Sequence, residues 1–211
     1  MAKQQGKAKG QWQVWLMILI LGGVMIAGFL LFPQTKEARD RLLGALGTTN
    51  HGEFVMPAVS IKALELKDSD GQTWQHEEQK VKWRMVIPGQ AACVDECREL
   101  LYLTRQVHIS LGKYSRRFER IYLNLDDHID AETAEYMKQH PFLHTLFGDR
   151  EAVTALLAGT NAPLNLAPEA GPQRAYLVDQ NGLVMMSYTL EISGHDMIED
   201  IEHLMKYSPD Q

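Results

Sequence analysis

A run of 21 residues without a single charge, Trp12 to Phe32, constrains this chain more than any other feature. At about 1.5 Å per residue, a helix of that length crosses the roughly 30 Å hydrocarbon core of a bilayer. Trp12 and Trp15 stand at its start, where indole rings favour the interface, and Pro33 with a polar run marks the exit. The competing reading is a cleaved signal peptide. Such peptides have apolar cores of only about 7–15 residues, and no small-x-small cleavage site follows Phe32. An uncleaved single-pass transmembrane helix is therefore expected over 12–32, behind a cytoplasmic segment 1–11. Lys3, Lys7 and Lys9 precede the span, and the positive-inside rule keeps them in the cytoplasm. The rest of the chain is then expected outside it, which in a bacterium means a periplasmic domain on the inner membrane. No Arg- and Ser-rich leader points to a mitochondrial transit peptide.

Charge is divided accordingly. The three lysines are the only charges in residues 1–34, which leaves 18 basic against 27 acidic residues beyond them, a net of -9. A domain that acidic lacks the basic face that nucleic acid requires, so no nucleic-acid partner is expected. The membrane and another protein are the expected partners.

Residues 33–57 read as a linker, mixing charges with Gly44, Gly47, Gly52 and Pro57, and with room for a short amphipathic helix around Glu37 to Leu46. A folded pattern is expected over 58–207. Ala58–Leu66 reads as a strand closed by Asp68, Ser69, Asp70 and Gly71, and Lys80–Ile87 as a second strand stopped by Pro88 and Gly89. After two cysteines comes a helix with Leu100, Leu103, Val107 and Leu111 on one face and Gly112 at its end. Phe118–Leu125 is a strand. Asp130 and Asp149 are placed to cap two further helices, the first ending before Pro141 and the second at Gly159. Arg174–Val178 and Leu183–Leu190 are strands joined across Asp179-Gln180-Asn181-Gly182, a hairpin signal. A last helix starts from Ser193, with Asp196 as capping partner and Met197, Ile198, Ile201, Leu204 and Met205 on its apolar face. Strands alternating with helices predict an α/β domain on the thioredoxin-like plan, with a largely parallel sheet covered on both sides.

The chain has two cysteines, Cys93 and Cys97, in Gln90-Ala91-Ala92-Cys93-Val94-Asp95-Glu96-Cys97-Arg98, between a strand end and a helix start. Two is too few for a disulfide framework or an ordinary zinc site. A helix N-terminus favours thiolate, whereas Asp95 and Glu96 oppose it. Three readings stay open: a structural disulfide, thiol–disulfide exchange, and Cu(I) held by both sulfurs. A four-residue loop gains little chain entropy from closure, which weakens the first. Cys-x-x-x-Cys is one residue longer than the usual Cys-x-x-Cys, and Pro172 lies slightly off the place of a cis-proline facing it, which weakens general disulfide reduction.

This arrangement resembles the SCO (SenC) family of copper chaperones for cytochrome c oxidase assembly. Asp95 matches the family's Cys-Pro-Asp-x-Cys-Pro, while Val94 and Arg98 stand where the prolines belong. Tyr176-Leu177-Val178-Asp179-Gln180-Asn181-Gly182 and Leu146-Phe147-Gly148-Asp149-Arg150-Glu151 are similar to two further family segments. The lead-in Asn50-His51-Gly52-Glu53-Phe54-Val55 resembles that of small membrane-anchored proteins associated with bacterial cytochrome oxidase assembly. The resemblance implies an assembly factor presenting Cys93 and Cys97 for copper handling or thiol exchange, with an oxidase subunit or another assembly factor as partner. It also implies a third copper ligand, a histidine about five residues before Tyr176. That position is Gly171, and no histidine lies between Phe147 and Asp179. Met185 and Met186 are expected in the core, and His108, His144 and His195 as ordinary histidines, His108 at the surface. Asp126-Asp127-His128 reads as a solvated strand end. No hydrolase tetrad, phosphate loop or dinucleotide fingerprint is present.

Overall fold

The structure, a computed structural model, describes residues 5–31, 50–167 and 171–208. Helix α1, Gln5–Leu31, contains a segment, Trp12–Phe29, long and apolar enough by length and composition to cross a membrane. The short helix expected around Glu37 to Leu46 lies outside the described residues. A second compact unit begins at Asn50.

Eight strands form its one sheet: β1 Glu53–Ser60, β2 Leu66–Asp68, β3 Thr73–Trp74, β4 Trp83–Gly89, β5 Phe118–Asn124, β6 Leu143–Gly148, β7 Ala175–Val178 and β8 Leu183–Tyr188. Their spatial order is β1-β8-β7-β4-β5-β6-β2-β3. Among the described residues, β4 with β5 and β5 with β6 run parallel and every other pairing is antiparallel. The expectation of a largely parallel sheet is thus corrected to a parallel centre with antiparallel flanks. The helices Glu96–Ser110 and Ala131–Met137 carry the chain back between β4, β5 and β6 and so allow them to run parallel, whereas β2–β3 and β7–β8 are hairpins and the remaining flank strands pair antiparallel across long stretches of sequence.

The strand expected over 58–66 is also displaced. Asp200, a buried carboxylate, accepts the backbone N–H groups of His51 at 3.0 Å and Gly52 at 2.8 Å. The ring of Tyr188 fills the space where a side chain on residue 52 would go. Pinned there, the chain enters the sheet at Glu53. It leaves after Ser60, whose Oγ accepts the Lys62 N–H to open a single 3-10 turn, and returns as β2 beside β6. Strand β6 carries almost no alternation to reveal it, since only Leu146 is fully buried.

Helix α2, Glu96–Ser110, buries Leu100, Leu101, Thr104 and Val107, and Gly112 follows it with φ +52, a conformation glycine adopts without strain. Helices α3, Ala131–Met137, α4, Arg150–Ala158, and α5, Gly194–Tyr207, start after Asp130, Asp149 and Ser193. Asp149 accepts the Ala152 N–H, and Ser193 Oγ accepts that of Asp196 while donating to its carboxylate. The hairpin closes over Asp179–Gly182, with Gly182 at φ +83.

Alternation along the strands splits the core in two. Met85, Ile87, Tyr122 and Leu177 pack with α2 and with Met197, Ile201 and Met205 of α5. Val86, Ile121, Leu123, Tyr176 and Val178 pack with Val153 and Leu157 of α4. Both cysteines belong to the first core.

Candidate functional site

Strand β4 ends at Gly89 against Tyr122, whose ring leaves no room for a side chain there. The Tyr122 hydroxyl donates to the Gln90 carbonyl, and burial pushes its pKa up, with Asp126 adding to the effect. Asp126 accepts the Ala91 N–H at 2.7 Å and pairs with Arg150, and the Ala91 bond is the main cause of its lowered pKa. It is therefore a clamp on the cysteine loop, which corrects the reading of Asp126-Asp127-His128 as a solvated strand end. Asp127 and His128 are exposed and pair with each other.

The Cys93 N–H donates to Thr133 Oγ1 at 3.0 Å, and its carbonyl accepts Arg98 Nε at 2.8 Å. Arg98 in turn pairs with Glu132 at 2.7 Å and lies over the Tyr136 ring. Asp95 turns the backbone at φ +45, and α2 starts at Glu96. Cys93 thus lies ahead of the helix and Cys97 is its second residue. With their Cα atoms 5.3 Å apart, the two form a disulfide.

That disulfide is closed in. Cys93 has no exposed surface and Cys97 keeps 5%. The expectation of a presented pair fails here, because a hydrophobic core assembled from β4, β5, α2 and α5 folds over it. Cys97 alone reaches a small cleft of about 80 Å³, bordered by Gln90, Val94, Asn165, Gly171 and Gln173. Gln173 latches the far wall, its N–H donating to Glu96 at 2.9 Å and its side chain to the Pro88 carbonyl at 2.6 Å.

Gly171, where the resemblance implies a histidine, does border the cleft beside Cys97. The position is in place and the imidazole is missing. No histidine or methionine borders the cleft among the described residues. Two sulfurs spent on each other offer no thiolate, so the donor set as closed does not fit copper. The cis peptide among the described residues is Met56–Pro57, not the bond before Pro172.

Other singled-out residues lie away from this site. Met186 is buried and Met185 half-buried, as core residues. His195 is exposed beside Glu199, and His144 is exposed on β6. His108 is buried rather than at the surface: its Nε2 meets the Ser115 carbonyl and its ring meets Phe118, and burial lowers its pKa. Thr133 and Gln173 carried no signal as site residues, because Thr133 reaches Cys93 across 40 positions and Gln173 reaches Glu96 across 77, while Arg98, read only as standing where a proline belongs, turns back onto the Cys93 carbonyl.

Residues 83–208 match the family model described as "Transmembrane-like, thioredoxin-like, C-terminal domain". No curated protein matches the chain. Among solved structures, yeast Sco1 with copper bound superposes with a TM-score of 0.54 at 19% identity, covering 77% of this chain and 98% of that one. Apo Sco1 from Thermus thermophilus gives 0.55 at 20%, covering 74% and 97%. BsSco, a member of the Sco family of cytochrome c oxidase assembly proteins studied for its disulfide switch, gives 0.56 at 14%, covering 72% and 96%. At these identities the likeness is one of fold.

Proposed function

The chain belongs to the transmembrane-like, thioredoxin-like family, and from that premise we propose that it is a membrane-tethered assembly factor for a respiratory haem–copper oxidase. The observation that carries this reading is a Sco-type fold with a Cys-x-x-x-Cys pair at the β4–α2 junction, on a chain with one membrane-length helix among the described residues. Tethering raises the local concentration of the domain near a membrane-bound client without any new contact. The client is an oxidase subunit or another assembly factor. Lys3, Lys7 and Lys9 ahead of the span support an inner-membrane protein with its domain in the periplasm.

Within that role, the buried disulfide acts as a brace holding the loop 90–95 against the start of α2. Solvent-excluded sulfurs are poor targets for an attacking thiolate, so exchange at the closed bond is slow. Copper handling is a second reading, and one observation favours it: the two sulfurs are adjacent, and Cys97 borders the cleft. Once reduced, a pair of thiolates is a donor set that suits Cu(I). Copper would then be cargo, taken only after a thiol reductant has opened the bond by exchange, leaving both sulfurs as thiolates and the reductant oxidised to its own disulfide.

One experiment separates the readings. Deleting the gene and complementing it with wild type or with Cys93→Ala/Cys97→Ala tests oxidase assembly, read as haem–copper absorbance in membranes. Loss of assembly on deletion, restored by both forms, supports an assembly role that uses no cysteine chemistry. Restoration by wild type alone, with anaerobic binding of about one Cu(I) per reduced chain, supports copper handling. Full oxidase assembly in the deletion strain overturns the assembly role.

A further inference from the structure

At the other end of the parallel strands, a cavity of about 370 Å³ opens between the starts of β4, β5 and β6 and the last turns of α2. Arg105 of α2, Arg116 ahead of β5 and Arg120 of β5 line it. Among the described residues, none of these three guanidinium groups has a carboxylate within ion-pair distance. Glu119 and Lys82 are also on the wall, but Glu119 is taken by Arg84 at 2.7 Å and by Lys82 at 3.5 Å.

Arg120 is fully buried. Its two terminal nitrogens donate to the Leu101 and Pro141 carbonyls at 3.2 Å, and its Nε has no partner; the buried Nε of Arg105 has none either. A buried cation balanced only by carbonyl dipoles is costly, and an anion in the cavity would offset that cost. Burial, with Arg105 beside it, pushes the Arg120 pKa down to about 10.

One wall is aromatic. The His108 ring stands edge-on to Phe118 at 5.2 Å and to Phe142 at 6.1 Å. Phe142 is 74% exposed, and its backbone sits at φ +64, a left-handed conformation that is strained for a bulky residue. Strain of this kind gathers at ligand sites. An exposed phenyl ring beside three uncompensated guanidinium groups, on a domain of net negative charge, is a local feature and not a property of the whole surface.

We propose that this cavity binds a small soluble anion with an aromatic body, its carboxylate or phosphate against Arg105, Arg116 and Arg120 and its ring against Phe142. Guanidinium forks match the oxygens of either anion, and the volume lies at the lower end of small-ligand pockets. The site is independent of the assembly role and of the disulfide.

The test uses the full chain in phosphatidylcholine nanodiscs, with 4-fluorophenyl phosphate followed by fluorine NMR line broadening and empty nanodiscs as blank. Saturable broadening is expected. Arg105→Gln with Arg116→Gln should weaken it at least tenfold, and Phe142→Ala severalfold, while neutral 4-fluorobenzyl alcohol should not saturate. Phe142 is exposed enough that its truncation keeps the test alive even if the double arginine variant fails to fold. Absence of saturation overturns the proposal. So does binding unchanged by the variants, or displacement by inorganic phosphate as effective as the probe with no effect of Phe142→Ala, which would reduce the site to general charge attraction.

Discussion

The two ends of the central parallel strands handle polarity in opposite ways. At the Gly89 end, the charged and polar side chains that hold the cysteine loop are partnered: Asp126 with Ala91 and Arg150, Thr133 with Cys93, Arg98 with Cys93 and Glu132, and Gln173 with Glu96 and Pro88. At the Trp83 end, three arginines share one cavity without a carboxylate of their own. The end that carries the recognisable cysteine motif is tightly packed, with its charged groups paired and only Cys97 reaching a small cleft. The end with no motif is open and has charge to spare. A motif marks ancestry, whereas unsatisfied polarity marks capacity to bind, and in this domain they sit at opposite poles.

That contrast can be broken most severely at the disulfide. Cys93→Ser/Cys97→Ser removes a small-loop crosslink and leaves two hydroxyls in an apolar core, and is expected to cost roughly 3–5 kcal/mol in urea unfolding. A cost under about 1 kcal/mol would show that the pair is not a brace. Gly89→Ala comes next, since the new methyl meets the buried Tyr122 ring; about 1–3 kcal/mol is expected by the same measurement. Arg98→Ala should cost about 1 kcal/mol, through its hydrogen bond to the Cys93 carbonyl. It should also speed reduction of the disulfide by dithiothreitol, and an unchanged rate would separate Arg98 from control of the pair.

The smallest effect at neutral pH belongs to the cationic end. Burial, then Arg120 and Arg105, lowers the His140 pKa from 6.5 to about 4. The unfolded chain therefore binds a proton that the folded chain refuses, so stability rises with pH across that window and is lost as pH falls from about 6.5 toward 4. His108, also lowered by burial, acts in the same direction. His140→Gln should narrow the difference in melting temperature between pH 7.5 and pH 5. An unchanged difference would place the acid sensitivity elsewhere.

Much of the architecture was legible in the residues. The caps at Asp149 and Ser193, the Asn181-Gly182 turn and the apolar face of α5 are local signals, set by side chains within four residues of the groups they satisfy. Strand β6 was not legible, because its place between β5 and β2 supplies the pairing that its own pattern does not announce. The start of β1 was misplaced for a related reason: Asp200, about 150 positions away, decides it. At the site, Cys93, Cys97 and the missing imidazole at Gly171 could be named in advance. Their burial could not.

By itself the sequence determined a membrane-length helix, a thioredoxin-like order of elements and a cysteine pair at a strand–helix junction. Each follows from periodicity, hydropathy and turn chemistry acting over short stretches of chain. Only the tertiary structure decided that the pair is buried and that Arg105, Arg116 and Arg120 face one cavity. Solvent exclusion and charge convergence depend on which distant segments pack together, and no local pattern encodes that.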